Sequence, residues 1–527
     1  MILKKRGRWV FFGARFLNAA LFFGLSTLGS AGILYGVDAP GSGLKVPPVF
    51  SHNMVLQRDL PVPVWGTAPS GGRVSVRFKG QEKTAAADAQ GQWMIRLEAL
   101  EASASPETLT VRGETGQLVF TNVLVGEVWL CSGQSNMECS FGYLKISDEV
   151  KGVNNPQIRL TSGGGWNICT ADTLQPFSCV GYYFGLNVWK GLRVPVGLIN
   201  ISQGCSSIEA WMTPESLMAN GSLVDRNGQR LFEEMKNFRR FVADYDRCGA
   251  SEKERVFREH CGSKYSFARS YLGKDGRPKI EKYKEILWHM GTVKPAHQYS
   301  ARIAPVVPFA IKGVIWYQGE TNVGETQYAL KQHILIGSWR DVWQEGDFPF
   351  YSVQIAPYKG YPNLPEFWLE QYEAARKIPR TGLVSTVDIG DLKDCHPLNK
   401  RDVGLRLALL ALRDTYGKKD LVASGPTYRS AAVEGNTVVV DFDSVGHGLA
   451  TRDGQSPNWF EIAGADGKFM KATAELRDNR VVVHSPAANP VYVRYAWHCC
   501  AEPNLCNKEG LPAFPFNTAE PFFQRQK

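Results

Sequence analysis

Three regimes of hydrophobic patterning follow one another along the chain. From about residue 45 to 122, short alternating or apolar runs recur between turns. Val62-Pro63-Val64-Trp65-Gly66, Val74-Ser75-Val76-Arg77-Phe78 and Leu109-Thr110-Val111-Arg112 are separated by Pro69-Ser70-Gly71-Gly72 and Ala89-Gln90-Gly91. This spacing predicts a small N-terminal β-sandwich. From 123 to 417, apolar strands such as 123–130, 196–200 and 313–317 alternate with longer helical stretches, the signature of an α/β domain on a mostly parallel sheet. Within it, residues 231–294 are charged and helix-favouring and read as an inserted helical excursion. Residues 399–416 predict an amphipathic helix, with Val403, Leu407 and Leu410 on its apolar face and Gly417 as its stop. From 418 to 527 the pattern is β-rich again, with Val438-Val439-Val440, Val481-Val482-Val483-His484 and Val491-Tyr492-Val493-Arg494-Tyr495 as strands.

The first 31 residues stand apart. Lys4, Lys5, Arg6, Arg8 and Arg15 precede or flank an apolar run at 16–25, and small residues follow up to Gly29-Ser30-Ala31. This reads as a secretory signal peptide and implies an exported protein, in the periplasm, the medium or a lysosome-like lumen. The apolar run is short for a membrane span. An uncleaved anchor is the rival reading; once the leader is cleaved, no membrane partner is expected. The formal charge of +9 shrinks to +4 without these five groups, since the leader holds no acid. That excess does not argue for nucleic acid, and no basic stripe with interleaved aromatics is present. Eleven cysteines suit export, and their odd number leaves at least one unpaired within the chain. Cys169 with Cys179, Cys248 with Cys261, and Cys499 or Cys500 with Cys506 are the local candidates for disulfides.

Four segments carry candidate chemistry. Cys131-Ser132-Gly133-Gln134-Ser135-Asn136-Met137-Glu138 follows an apolar strand, so its serine can project from a tight turn at a sheet edge, where a hydrolase needs its nucleophile. The spacing is not Gly-x-Ser-x-Gly, so an α/β-hydrolase elbow fits poorly. Ser202-Gln203-Gly204-Cys205-Ser206 ends a second strand in small residues whose N–H groups can face an anion, or simply make a turn. Tyr317-Gln318-Gly319-Glu320-Thr321-Asn322 ends a third, and Asn322 is either an oxyanion donor or a helix cap. Asp388-Ile389-Gly390-Asp391-Leu392-Lys393-Asp394-Cys395-His396-Pro397 sets carboxylates beside one histidine. A carboxylate there can fix the tautomer of His396, while the following helix N-terminus favours a neutral ring. The same cluster could instead hold a metal. Trp211, Trp316 and Tyr317 could stack on a sugar or belong to the core.

On these motifs the chain resembles the SGNH hydrolases, and within them the sialate O-acetylesterase family of carbohydrate esterases. The matching segments are 128–137, 314–322, His396-Pro397-Leu398-Asn399-Lys400 and Val403-Gly404-Leu405-Arg406-Leu407, supported by Ser51-His52-Asn53-Met54-Val55-Leu56-Gln57 and Val493-Arg494-Tyr495-Ala496-Trp497. The resemblance runs from about residue 45 to the C-terminus. It implies a three-layer α/β/α sandwich with a mostly parallel sheet, flanked by the two β-rich regions, and removal of acetyl groups from sugars, sialic acids above all. It implies Ser135 as nucleophile and His396 as base, with oxyanion donors at the Ser135 N–H, Gly204 and Asn322, and no cofactor or metal. Asp394 is the nearest supporting acid and Asp391 the alternative, because Lys393 occupies the family's usual acid position three before the histidine. Gln134, Trp211 and Gln318 stand as substrate-binding candidates. Other departures are Gly204-Cys205-Ser206 where the family has Gly-Gly-Thr, and Tyr299-Ser300-Ala301-Arg302 where it has Tyr-Asn, a small residue and Met. The rivals are an esterase of acetylated xylan or another polysaccharide, and a glycan-binding protein without catalysis.

Overall fold

The apolar run at 123–130 is the centre of the strand from which the site is hung. The computed structural model describes residues 43–220, 294–485 and 489–524, with the short strand Val37–Asp38 and Arg247. All of them belong to the unit Gly36–Lys527. The leader expected at 1–31 lies outside the described residues, as do Cys248, Cys261 and, apart from Arg247 and Lys294, the insertion expected at 231–294. Among the described residues no helix is long and apolar enough to cross a membrane.

Seven strands make the part of the sheet that matters here: β1 (Gln117–Gly133), β2 (Asn154–Thr161), β3 (Asn167–Thr170), β4 (Val196–Ser202), β5 (Gly313–Tyr317), β6 (Phe350–Val353) and β7 (Thr381–Val384). Their order is β3-β2-β4-β1-β5-β6-β7. All neighbours are parallel except β3, which closes one edge antiparallel to β2. Every residue of β4, β5 and β6 is buried, which is why these strands read as unbroken apolar runs rather than alternating ones. The fold is α/β with a mixed sheet.

Helices cover both faces of this sheet. The principal ones are α2 (Cys179–Leu192), α3 (Tyr328–Trp343), α4 (Leu364–Lys377) and α5 (Lys400–Leu410), with a one-turn α1 (Ser135–Glu138) directly after β1. Phe350 and Tyr351 are successive strand residues and so point to opposite faces. Phe350 meets Trp339 of α3, whereas Tyr351 stacks on Trp129, which in turn meets Phe184 of α2. Helix α5 lies on α2, and its apolar positions Val403, Leu407 and Leu410 are buried as the pattern predicts. Beyond Leu410 the helix widens into a π turn, Ala411–Thr415, before Gly417 turns out at φ +72°.

Both flanks are rich in strands. Upstream, Val62–Thr67 pairs with Gln92–Leu97, and Arg73–Phe78 lies between Gln81–Ala86 and Ser103–Arg112. Strand β1 runs unbroken through residues 122 and 123. Its first half pairs with Ser103–Arg112 and its second half with β4 and β5, so the upstream region and the central sheet share one strand. Downstream, Thr427–Glu434, Thr437–Asp443, Arg480–His484 and Thr473–Arg477 form one antiparallel sheet, and Phe460–Ala463 and Tyr492–Tyr495 belong to another.

The cysteine reading needs correction. Cys169, Cys179, Cys499, Cys500 and Cys506 are free thiols, so neither Cys169 with Cys179 nor Cys499 or Cys500 with Cys506 is joined. Each is committed to its own element. Cys169 faces Asn155 across the edge ladder, Cys179 opens α2 in the core, and Cys506 faces Ala450 in a separate two-stranded ladder.

Gly404 is where α5 comes closest to α2. A Cβ there would lie 2.6 Å from Tyr183 Cβ and 2.7 Å from the backbone N of Phe184. Gly404→Ala is expected to destabilise the fold by about 1–3 kcal/mol through overpacking, read as a lower Tm in thermal unfolding. An unchanged Tm would show that the two helices are not in this register.

Candidate active site

Three strands end level with one another. Gly133 stands opposite Ser202 of β4 on one side and Tyr317 of β5 on the other. The turns that follow, at Gln134-Ser135, Gln203-Gly204 and Gln318-Gly319, therefore open from the same edge of the sheet. Along the chain β1 to β7, the strand order reverses around β1, and the carboxyl ends of strands at such a point form the usual crevice of an α/β sheet. Gly133 is required here. Its φ is +136°, and a Cβ would lie 2.1 Å from Tyr317 O. Ser135 then opens α1, where the first turn leaves its N–H without an intrahelical acceptor.

The fourth segment arrives from the loop after β7. His396 Nε2 lies 2.9 Å from Ser135 Oγ, and its Nδ1 lies 3.2 Å from Asp394 Oδ1, which also accepts the His396 backbone N–H at 2.8 Å. Burial holds the imidazole below its ordinary value of 6.5; Asp394 opposes this and Lys400 adds to it. The resting ring is thus neutral at neutral pH, with Nε2 free to accept the serine proton when Nδ1 donates to Asp394. The side chain of Asp394 is 61% exposed, against 17% for His396. Water screens this carboxylate, so its pull on the ring is modest.

A buried network sets the two loops against each other. The Asn136 side chain donates to Cys395 O at 2.8 Å and to Glu320 Oε1 at 2.5 Å, and accepts from Lys400 Nζ. One amide thus joins α1, the turn after β5, the histidine loop and α5. Burial pushes Glu320 upward and Lys400 downward, and Lys400 Nζ also sits 5.7 Å over the Tyr317 ring. Glu320 Oε2 is buried with no partner among the described residues. The histidine loop is pinned further back as well. Asp388 takes two 2.7 Å bonds from the Arg406 guanidinium and forms an ion pair with Arg452 at 2.7 Å, tying α5 and the downstream β region to it.

Several residues take other parts than the motifs suggest. Asp391 does not reach the imidazole; it accepts the backbone N–H of Lys393 at 2.8 Å. The Gly204 N–H is already given to Glu138 Oε2 at 2.5 Å, so in this arrangement it does not face Ser135 as a donor. Burial raises the Glu138 carboxyl, while the Gly204 bond and Arg302 lower it, with a net shift upward. Cys205 adopts φ +58°, the left-handed region that its Cβ disfavours. Asn322 is wholly buried. Its amide protons go to Glu209 at 3.2 Å and Glu325 at 2.8 Å, and its oxygen takes Ile208 N–H and Gln318 Nε2. Lys331, raised by the same two acids against the effect of burial, completes that cluster. In this arrangement Asn322 thus spends both amide protons on Glu209 and Glu325 and does not offer them to an oxyanion.

The substrate-binding candidates are likewise mostly internal. Trp211 is buried edge-on to Trp316, with its Nε1 on Ser206 Oγ at 2.9 Å. Gln318 is buried and donates to Ser206 O and Asn322. Gln134 accepts from Gly319 N at 3.2 Å and Thr321 N at 3.4 Å, shaping the β5 turn. The motifs named no part for Asn136, Glu138, Glu320 or Lys400, although all four lie inside them. Asn136, Glu138 and Glu320 are polar residues just past a strand end and Lys400 opens α5, positions that local patterning cannot tell from a solvated turn or helix start. Arg302, at one of the departures noted above, donates to the Gln203 side chain at 2.5 Å and sets a cation beside the Gly204 turn.

Asp394, Cys395 and His396 each offer one ligand atom within 4.8 Å of the others. A cation held there would compete with Ser135 for His396, and it would need a thiol that burial has pushed up to about 12.

Comparison with known proteins places this chain in a family. The family model "Carbohydrate esterase, sialic acid-specific acetylesterase" matches residues 276–412. Sialate O-acetylesterase of Mus musculus is 26% identical over 447 residues, covering 73% of this chain and 76% of its own length. That of Homo sapiens is 26% identical over 454 residues, covering 75% of each. A solved carbohydrate acetylesterase from Xanthomonas citri is 33% identical with a TM-score of 0.72, covering 90% of this chain and 99% of that one. Fold and relatives together define a carboxylic ester hydrolase. The chain belongs to the carbohydrate esterase family of the sialic acid-specific acetylesterases.

Because Asn322 holds the β4 and β5 turns together, Asn322→Ala is expected to act on stability. Each buried group it orphans costs about 1–3 kcal/mol, so Tm should fall clearly. A variant with unchanged Tm and a ~10²–10³-fold loss of kcat would instead restore the oxyanion role.

Proposed function

We propose that this chain removes O-acetyl groups from sugars, with O-acetylated sialic acids as the substrate class, through a Ser135-His396-Asp394 acyl-enzyme cycle on an SGNH-type α/β/α sandwich. The observation that carries this reading is the 2.9 Å contact between His396 Nε2 and Ser135 Oγ, made between residues on separate loops. It also disfavours the non-catalytic glycan-binding alternative, since a pocket that only binds sugar has no need of a base on a serine. The relatives described above, named as sialate O-acetylesterases and a carbohydrate acetylesterase, support the same reaction. Arg302 supports an anionic sugar over neutral xylan, because it sets a guanidinium beside the Gly204 turn.

In the cycle, Ser135 Oγ attacks the acetyl carbonyl while His396 Nε2 takes its proton. The tetrahedral oxyanion is received by the Ser135 N–H at the start of α1; Gly204 joins it only where Glu138 gives way. His396 then protonates the leaving sugar hydroxyl, and afterwards deprotonates the water that clears the acetyl group. Asp394 holds the tautomer. Export rests on the leader at 1–31, and the mass of the mature protein tests it.

Ser135→Ala should lose ~10⁵–10⁶-fold in kcat and all labelling by a fluorophosphonate probe, with Tm retained. Full activity in this variant sinks the nucleophile. A panel of acetylated sialic acid against acetylated xylan decides the substrate, and faster turnover of xylan would overturn the sialate reading.

The pH profile follows from the ring. Protonating His396 stops catalysis, and its pKa lies below 6.5, so the acid limb of kcat/KM should have its midpoint below 6.5. Removing the carboxylate that raises it, by Asp394→Asn, should move that limb further towards acid. The accompanying loss of kcat should fall short of the ~10⁴-fold seen for a buried triad acid, because Asp394 is exposed. A limb that stays put in Asp394→Asn would show that another group supports His396.

A further inference from the structure

Away from the serine, the downstream β region carries a second cluster of metal-ligating side chains that the esterase reaction does not use. Just past the strand Tyr492–Tyr495, the chain turns at Ala496 with φ +51° and presents His498, Cys499 and Cys500 in succession. The turn is closed by His498 N–H on Ala496 O at 2.9 Å and Ala501 N–H on His498 O at 3.0 Å. One ring nitrogen of His498 and the two sulfurs lie within 4.8 Å of one another. The two Sγ atoms are 3.8 Å apart. A disulfide would bring them to about 2.05 Å. Two thiolates on a tetrahedral zinc ion, each about 2.3 Å from the metal, stand ~3.8 Å apart. The sulfurs are therefore already at a chelating separation.

The histidine is prepared in the same sense. Its Nδ1 accepts the Cys500 backbone N–H at 3.0 Å, which leaves the lone pair on Nδ1 and the proton on Nε2. A cation bound through Nδ1 needs that same tautomer and replaces only the one hydrogen bond. The ring is held by stacking on Trp459, with centroids 5.9 Å apart and 23° between planes. His498 is exposed and both cysteines are half-buried, so an ion can enter from solvent.

We propose that His498, Cys499 and Cys500 form a site for a soft, thiophilic cation of the zinc type, with one coordination position left to water. Binding a divalent ion releases the two thiol protons and forms two metal–sulfur bonds and one metal–nitrogen bond, with no change of oxidation state. The site is separate from Asp394-Cys395-His396, so the two can be told apart by mutation.

The test uses the purified full chain with its thiols reduced. Zn²⁺ retained after gel filtration is counted, and Co²⁺ replaces it to report ligand type. The site requires one retained Zn²⁺ per chain and a thiolate-to-cobalt charge-transfer band. Both should vanish in Cys499→Ser/Cys500→Ser and persist in Cys395→Ser, with esterase activity unchanged in the double variant. Retention that survives the double variant, or that is lost in Cys395→Ser instead, overturns the proposal. So does a Cys499–Cys500 disulfide that persists after reduction, seen in the peptide mass.

Discussion

The side chain of Asn136 is the constraint on which the site depends. A catalytic serine on one loop and a histidine on another are useful only if their separation is held to a few tenths of an ångström. Here one buried amide, immediately after the serine, spends both protons and its oxygen on three other segments. Burial makes each of these bonds stronger than it would be in water, and makes each broken one costly. The contact between Ser135 and His396 is therefore set by the interior rather than by the two segments alone.

The electrostatics around that amide follow from the same burial. Glu320 and Lys400 are both pressed towards their neutral forms, one pushed up and the other down. His396 is pressed the same way, which suits a base that must begin neutral. Asp394 is left outside, where solvent weakens it. In the proposed triad Asp394 therefore acts more through geometry, by fixing which ring nitrogen carries the proton, than through charge.

Around this centre the structure converts sheet register into chemistry. Gly133, Ser202 and Tyr317 end at one level because the parallel strands pair in that register. Two of the turns that leave this level are then tied by side chains from within the fold, Gln134 on the β5 turn and Glu138 on the Gly204 turn. The histidine loop is held from behind by Asp388 between Arg406 and Arg452. Breaking the buried Asp388–Arg406 pair by removing one partner costs about 3–5 kcal/mol, and Arg452 adds a partly exposed contact from the downstream β region.

What the sequence determined by itself was local. The unbroken apolar runs marked the buried parallel strands, and the spacing of Val403, Leu407 and Leu410 marked the face of α5. The motifs ending in Ser135 and His396 named the two residues that meet. These were legible because strand burial, helix periodicity and a serine beyond a strand each leave a pattern within a few residues. The tertiary structure alone decided where polar groups spend their hydrogen bonds. Gly204, Asn322, Gln318 and Trp211 have the right residue types for a site, yet each is consumed by a neighbour distant in sequence. Asn136, Glu320 and Lys400 gave no local sign of importance, yet they hold the site together. A hydrogen bond between residues far apart in the chain has no period or spacing to read, because its partner is chosen only when the strands and helices have packed.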